Sequence, residues 1–202
     1  MNKTDDWNTR YKESKHLFGT APNDFMVYQK SRIKPCTNAL SIADGEANNS
    51  IWLAKQGLTV TSIDISTEAN KKAQSNQLSS QTDFTLICAD ILQYPLPEVS
   101  FDLITVFFLH LPTHQRKVLN KKINQLLKPN GILLYECFHT DQSQITWGLP
   151  DADLRLNEND FQRDFFNLTT LTIDKKLTVS YEETRGKKEV VTLQYAGLKK
   201  ND

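Results

Sequence analysis

The sequence predicts an α/β protein on an open, mostly parallel sheet, for three reasons. Short β-branched runs alternate with stretches of helical periodicity between residues 38 and 138, the pattern of successive βαβ units. Two longer β-type runs then close the chain as an antiparallel hairpin, giving seven strands in all. At 202 residues the chain has the length of one domain that needs no covalent staples. The reading is a single domain over 1–202: an N-terminal helical arm (1–35), a core (36–140) and a C-terminal segment with the hairpin (141–202).

The elements follow in order. Asn38-Ala39-Leu40-Ser41-Ile42-Ala43 reads as the first strand and ends in the turn Asp44-Gly45-Glu46-Ala47-Asn48-Asn49. A helix through Ile51, Trp52, Leu53 and Ala54 follows, with Asn48 or Asn49 as its cap and Gly57 as its left-handed stop. Leu58 to Asp64 is a second strand, rich in β-branched residues. Ser66 caps a helix carrying Ala69, Ala73 and Asn76, and Phe84 to Cys88 forms a third strand ending at Ala89-Asp90. After a turn on Pro95 and Pro97 comes a fourth strand, Phe101 to Phe107. Pro112 suits the first turn of the next helix, whose apolar stripe is Val118, Leu119, Ile123, Leu126 and Leu127. Lys128-Pro129-Asn130-Gly131 breaks that helix before a fifth strand, Ile132 to Phe138. A short helical piece around Phe161 and Phe165 precedes the runs 168–184 and 189–198, which turn near Arg185-Gly186-Lys187.

Composition removes several classes. Twenty-four Lys+Arg balance 24 Asp+Glu, and a zero net charge argues against nonspecific binding to nucleic acid or a membrane surface. A mean hydropathy of −0.49 and short apolar runs exclude a spanning helix. The polar start Met1-Asn2-Lys3-Thr4-Asp5-Asp6 leads into no signal-peptide core, which points to the cytoplasm. Cys36, Cys88 and Cys137 form no CxxC pair; Cys88 and Cys137 lie in apolar runs and read as reduced core thiols, so no metal site is expected. Only seven residues are Gly, which at first weighs against a glycine-rich phosphate loop.

In an open α/β sheet the ligand lies beyond the carboxyl ends of the strands. Those ends are Ala43 to Asn49, Asp64-Ile65, Asp90-Ile91 and Phe107 to Leu111. Asp64 lies nineteen residues after Gly45, near the offset at which an acid reaches a ribose diol. An Asp ending a strand also caps the following turn, and spacing alone does not separate the two readings. Asp90 has the same two readings: acceptor for an adenine amine, or cap of Ile91-Leu92-Gln93. Against the dinucleotide fingerprint GxGxxG only Gly45 survives, and Asp44 and Glu46 would repel a pyrophosphate. The loop therefore points away from NAD and towards an adenosine ligand without phosphate.

Leu40 to Ala54, then Gly57 and Val60-Thr61-Ser62-Ile63-Asp64-Ile65-Ser66, closely resembles the class I S-adenosylmethionine-dependent methyltransferases. The nearest subgroup is the small bacterial one related to tellurite-resistance and thiopurine methyltransferases. The likeness takes in Trp7-Asn8-Thr9-Arg10-Tyr11 and Phe18 to Phe25 upstream. Downstream it takes in Phe108-Leu109-His110-Leu111-Pro112 with Arg116, Lys128-Pro129-Asn130-Gly131, Glu136, Gln142 and Gly148-Leu149-Pro150. It implies a three-layer Rossmann-like fold, S-adenosylmethionine as cofactor, and in-line methyl transfer to a small-molecule acceptor, in a monomer.

By position, the resemblance puts Ala43, Asp44, Gly45, Ala47 and Asn49 around the methionine half of the cofactor, and Asp64 with Ile65 at the ribose. Asp90 and Ile91 would flank the adenine, and Phe107 and Phe108 the sulfonium, whose charge an aromatic face attracts. Arg10 and Tyr11 of the arm would meet the cofactor carboxylate or the acceptor. A base is needed only if the acceptor must lose a proton; His110 leads, with His139 and Tyr11 behind it. His110 also reads as a packing residue beside Pro112, and His16 and His114 read as surface residues. Ala47, Asn48 and Asn130 depart from the subgroup, and Ser41 stands where many methyltransferases have an acid. An alanine at position 47 is strained if its φ is positive, and its methyl group would then press on the ligand. Two other readings are a non-catalytic domain that binds the same cofactor and a nucleotide-dependent oxidoreductase.

Overall fold

The computed structural model describes residues 3–142 and 151–201. Trp147, Gly148, Leu149 and Pro150 lie outside them. Two compact units emerge: Met1–Tyr94 with Tyr181–Lys187, and Pro95–Ser180 with Lys188–Asp202.

In the first unit the arm forms helices α1 (Lys3–Glu13), α2 (Asp24–Tyr28) and α3 (Lys30–Ile33). Strand β1 (Asn38–Ile42), helix α4 (Asn48–Lys55), strand β2 (Thr59–Asp64), helix α5 (Thr67–Ser80) and strand β3 (Thr85–Cys88) follow. β1 is buried from Ala39 onward, so its sequence reads as a nearly continuous small-and-apolar run rather than an alternating one. It pairs parallel with β2, Asn38 against Thr59 through Ile42 against Ile63, and β2 pairs parallel with β3, ending with Asp64 against Cys88.

The second unit holds β4 (Phe101–Phe107), α6 (Thr113–Leu126), β5 (Leu127–Phe138), a 3-10 turn (Ala152–Leu154) and α7 (Glu158–Asp164). It also holds most of the hairpin strands β6 (Leu168–Glu182) and β7 (Gly186–Lys199). β4 and β5 run parallel, while β5 and β7 run antiparallel from Ile132 against Leu198 to Phe138 against Thr192. An aromatic stack seals this core: the Phe161 ring lies 5.1 Å from Tyr135 and 4.8 Å from Tyr195. The strand order is β3-β2-β1-β4-β5-β7-β6, the seven-stranded, mostly parallel sheet that the sequence predicts.

Local details depart from the sequence reading in five places. The cap of α4 is neither Asn48 nor Asn49 but Ala47, in the left-handed region at φ 65° and with no side-chain cap bond. Pro112 sits one residue ahead of α6, as its cap. The Lys128–Gly131 stretch lies within β5: Asn130 takes φ 63°, and a side chain at Gly131 would come 2.8 Å from the Lys128 carbonyl oxygen, which only glycine avoids. Val118 faces solvent, and α6 instead buries Arg116 and Asn120 beside Leu119, Ile123 and Leu126, because both polar side chains bond Asp164. Cys88, expected in the core, is exposed where β3 ends, whereas Cys137 is buried.

Candidate cofactor site

The loop after β1 folds back on itself through left-handed residues, with Ala43 at φ 55°, Gly45 at 59° and Ala47 at 65°. Its anchor is Asp44. That buried carboxylate accepts from Asn49 Nδ2 at 3.0 Å, from the Ser50 amide at 3.3 Å, and from the Ser50 and Ser62 hydroxyls at 2.5 and 3.1 Å. Burial pushes its pKa up, and donors from Ser50, Ser41, Asn49 and Ser62 pull against that. Asp44 and Asn49, both expected to hold a cofactor, thus bond each other, and Asp44 sets the loop's shape. Ala47 has no exposed surface, so its methyl group is enclosed by protein, and its left-handed backbone carries strain.

Asp64 ends β2 and joins this loop. Its Oδ2 accepts the Gly45 amide at 2.9 Å and its Oδ1 accepts the Ser66 amide at 2.8 Å. Burial, the largest influence, outweighs these donors and pushes its pKa up to about 6. Each carboxylate oxygen accepts one backbone bond and retains capacity for another, so the two readings of Asp64, turn cap and diol acceptor, are compatible in one side chain. Ile65 is partly exposed beside it. Asp90 caps its own turn, accepting the Leu92 amide at 2.9 Å and Gln93 Nε2 at 3.3 Å, while Ile91 is buried.

The arm meets the loop at Gly45. A side chain there would lie 3.2 Å from Tyr11 Cζ and collide with the Tyr11 hydroxyl, a steric reason for glycine at the loop's centre. Burial and the nearby charges of Asp64 and Glu46 push the Tyr11 phenol well up. Arg10 instead pairs with Glu182 at 3.1 Å and lies over the Trp7 ring at 4.5 Å. Glu46 is buried and balanced by Lys72 at 3.1 Å, with His16 at 3.5 Å; His16 is therefore half-buried rather than the surface residue expected.

In the second unit Phe107 ends β4, buried, and Phe108 follows at φ 54°, an unusual conformation for a bulky residue. Its amide donates to the Glu136 carbonyl at 2.8 Å, and its ring lies 5.3 Å from Phe138. The His110 ring stacks on Phe138 at 5.1 Å and 7°. His139 is buried and committed: Nδ1 accepts the Asp141 amide at 3.0 Å, and Nε2 faces Glu158 at 3.3 Å.

Sequence reasoning missed Ser50 and Ser62 around Asp44, and Lys72 against Glu46. A buried acid implies donors, but which serines converge on it depends on three separate elements.

Residues 39–131 match the family described as a methyltransferase domain. No protein of curated function matches the sequence. Among solved structures, TehB from Haemophilus influenzae superposes with a TM-score of 0.74 at 19% identity, over 98% of this chain and 68% of that one. N-methyltransferase NodS from Bradyrhizobium japonicum WM9, in complex with S-adenosyl-l-homocysteine, gives 0.73 at 16% identity over 100% of both chains. A chain from "Conversion of a Disulfide Bond into a Thioacetal Group during Echinomycin Biosynthesis" gives 0.83 at 17% identity over 98% and 92%. At these identities the likeness is one of fold. The segment 39–131, from β1 through α6 to Gly131, is thus similar to methyltransferase domains, and the chain as a whole shares the fold of these solved structures.

Proposed function

We propose that the chain transfers a methyl group from S-adenosylmethionine to a small-molecule acceptor, with the cofactor held by the residues carried over above. One observation carries this reading: the bond from the Gly45 amide to Asp64 Oδ2, 2.9 Å long, ties the loop's central glycine to the acid nineteen residues on. The donor chemistry fits the cofactor. Asp64 has acceptor capacity for a ribose diol, and the loop's acids suit a cationic ligand without phosphate. When bound, S-adenosylmethionine supplies an electrophilic methyl group on a sulfonium.

The chain's own residues then position and shield. Tyr11, kept protonated because its pKa is pushed up, packs against Gly45 and can donate a hydrogen bond rather than act as a base. Phe107 and Phe108 supply the aromatic faces that favour a cation. His110 is the residue that takes a proton when the acceptor carries one; His139 is held by Asp141 and Glu158. Alignment of nucleophile, carbon and sulfur supplies most of the acceleration when the acceptor is a soft nucleophile.

Calorimetry with S-adenosylmethionine, S-adenosylhomocysteine and NAD tests the reading. The two sulfur ligands are expected to bind below millimolar and NAD not to bind; failure of both sulfur ligands overturns it. Asp64→Ala is expected to weaken S-adenosylhomocysteine at least tenfold. Unchanged affinity would remove Asp64 from the ribose.

A further inference from the structure

The sheet's last strand is complementary to itself. β6 ends the strand order, with β7 as its one neighbour in the sheet among the described residues. It is 15 residues long, so its outer backbone groups form an extended edge of the kind that templates pairing with another chain. Leu177 and Val179, two apart and hence on one face, are 67% and 63% exposed. Asp174, Lys175 and Lys176 at the strand's centre are exposed as well.

We propose that this edge binds a second copy of the chain, β6 against β6, antiparallel about a two-fold axis at Lys175. In that register Asp174 faces Lys176, Ile173 faces Leu177, Thr172 faces Thr178 and Leu171 faces Val179. The symmetry makes each pair occur twice. Opposite-charge, apolar and Thr–Thr pairs are those that stabilise an antiparallel ladder. A slip of one residue sets Ile173 against Lys176 and Leu177 against Thr172, which loses the apolar pairs. The one like-charged pair, Lys175 with itself, is answered within each copy, because Lys175 Nζ lies 2.8 Å from Asp141 Oδ2. Lysine on a sheet edge commonly prevents pairing. Here Lys176 meets Asp174, so its charge selects one register, and the occupant that matches this pattern is the strand itself. Such pairing would make a symmetric dimer with a continuous sheet, where the sequence reading expects a monomer.

Sedimentation equilibrium on the full chain tests this. The native mass is expected to rise with concentration from 23.2 kDa to twice that value. Lys176→Asp sets aspartate against Asp174 and is expected to leave the chain monomeric. Adding Asp174→Lys to that variant restores opposite charges and is expected to restore the dimer, which a merely unfolded variant would not regain. A native chain that stays monomeric at every concentration overturns the proposal, as does a Lys176→Asp chain that still dimerises or a double variant that does not. A strand peptide of the β6 sequence that leaves the native mass unchanged while binding one-to-one to the chain would also overturn it.

Discussion

Ala43 and Ala47 share a left-handed backbone, at φ 55° and 65°, but not an environment. Ala43 is partly exposed, whereas Ala47 has no exposed surface. Replacing either by glycine relieves about 1 kcal/mol of strain. At Ala47 the change also removes a buried methyl group worth about 0.8 kcal/mol. Ala43→Gly is therefore expected to raise unfolding stability by about 0.5–1 kcal/mol, and Ala47→Gly to leave it nearly unchanged, both read by urea denaturation. Asp64 adds a pH dependence. Its folded pKa, about 6, exceeds the ordinary value of 3.8, so the folded state binds more protons than the unfolded one between those values. Stability from this group is present below about pH 4 and lost as pH rises to about 6. Affinity for a ribose diol runs the opposite way, since the charged form is the better acceptor. S-adenosylhomocysteine affinity is expected to fall up to tenfold per unit below pH 6 and to lose that slope in Asp64→Ala, measured by calorimetry. At this scale the spacing of Gly45 and Asp64 was legible because a fixed strand–loop–helix path sets it. The serines about Asp44 were not, because they meet only when β1, α4 and β2 have assembled.

At the scale of elements, α5 is held by its start. Ser66 Oγ accepts the Ala69 amide at 3.1 Å and donates to Asn8 Oδ1 at 2.8 Å; the same Asn8 oxygen takes the Glu68 amide at 3.3 Å. The helix buries little apolar surface, only Ala69 and Ala73, so this capping carries unusual weight. Ser66→Ala and Asn8→Ala are each expected to cost about 1 kcal/mol, and a double-mutant cycle is expected to show coupling above about 0.5 kcal/mol. Additive losses would mean that the two caps act independently. The Ser66 cap was readable in sequence, since a serine before a polar helix is a local signal. The α4 cap was not: the Asp44 carboxylate, six residues ahead of Ser50, accepts the Ser50 amide in place of a side chain at the cap position. Cys88 was misplaced for a related reason. Apolar neighbours mark a strand, but its place in the strand order decides which strand meets solvent.

At the scale of the whole molecule, the alternation of strands and helices predicted the sheet and its antiparallel end, because parallel strands require crossovers and hairpins do not. A ligand specific to the folded state should stabilise the whole. S-adenosylhomocysteine at a hundred times its dissociation constant is expected to add about 2.7 kcal/mol, raising the melting temperature by about 5–10 °C in differential scanning calorimetry.

The arm contributes one further consequence. Glu183 accepts the amides of Lys15 and His16, at 2.9 and 2.6 Å, and Arg10 reaches Glu182. These partners are more than 160 positions apart, so the arm is fastened by a turn synthesised long after it. Throughout synthesis the loop around Gly45 thus has its strands before it has its cover, and loading of cofactor onto a nascent chain would precede closure of the arm. Hydrogen exchange should show it: a chain ending at Ser180 is expected to retain protection in β1 and β2 while losing it in α1.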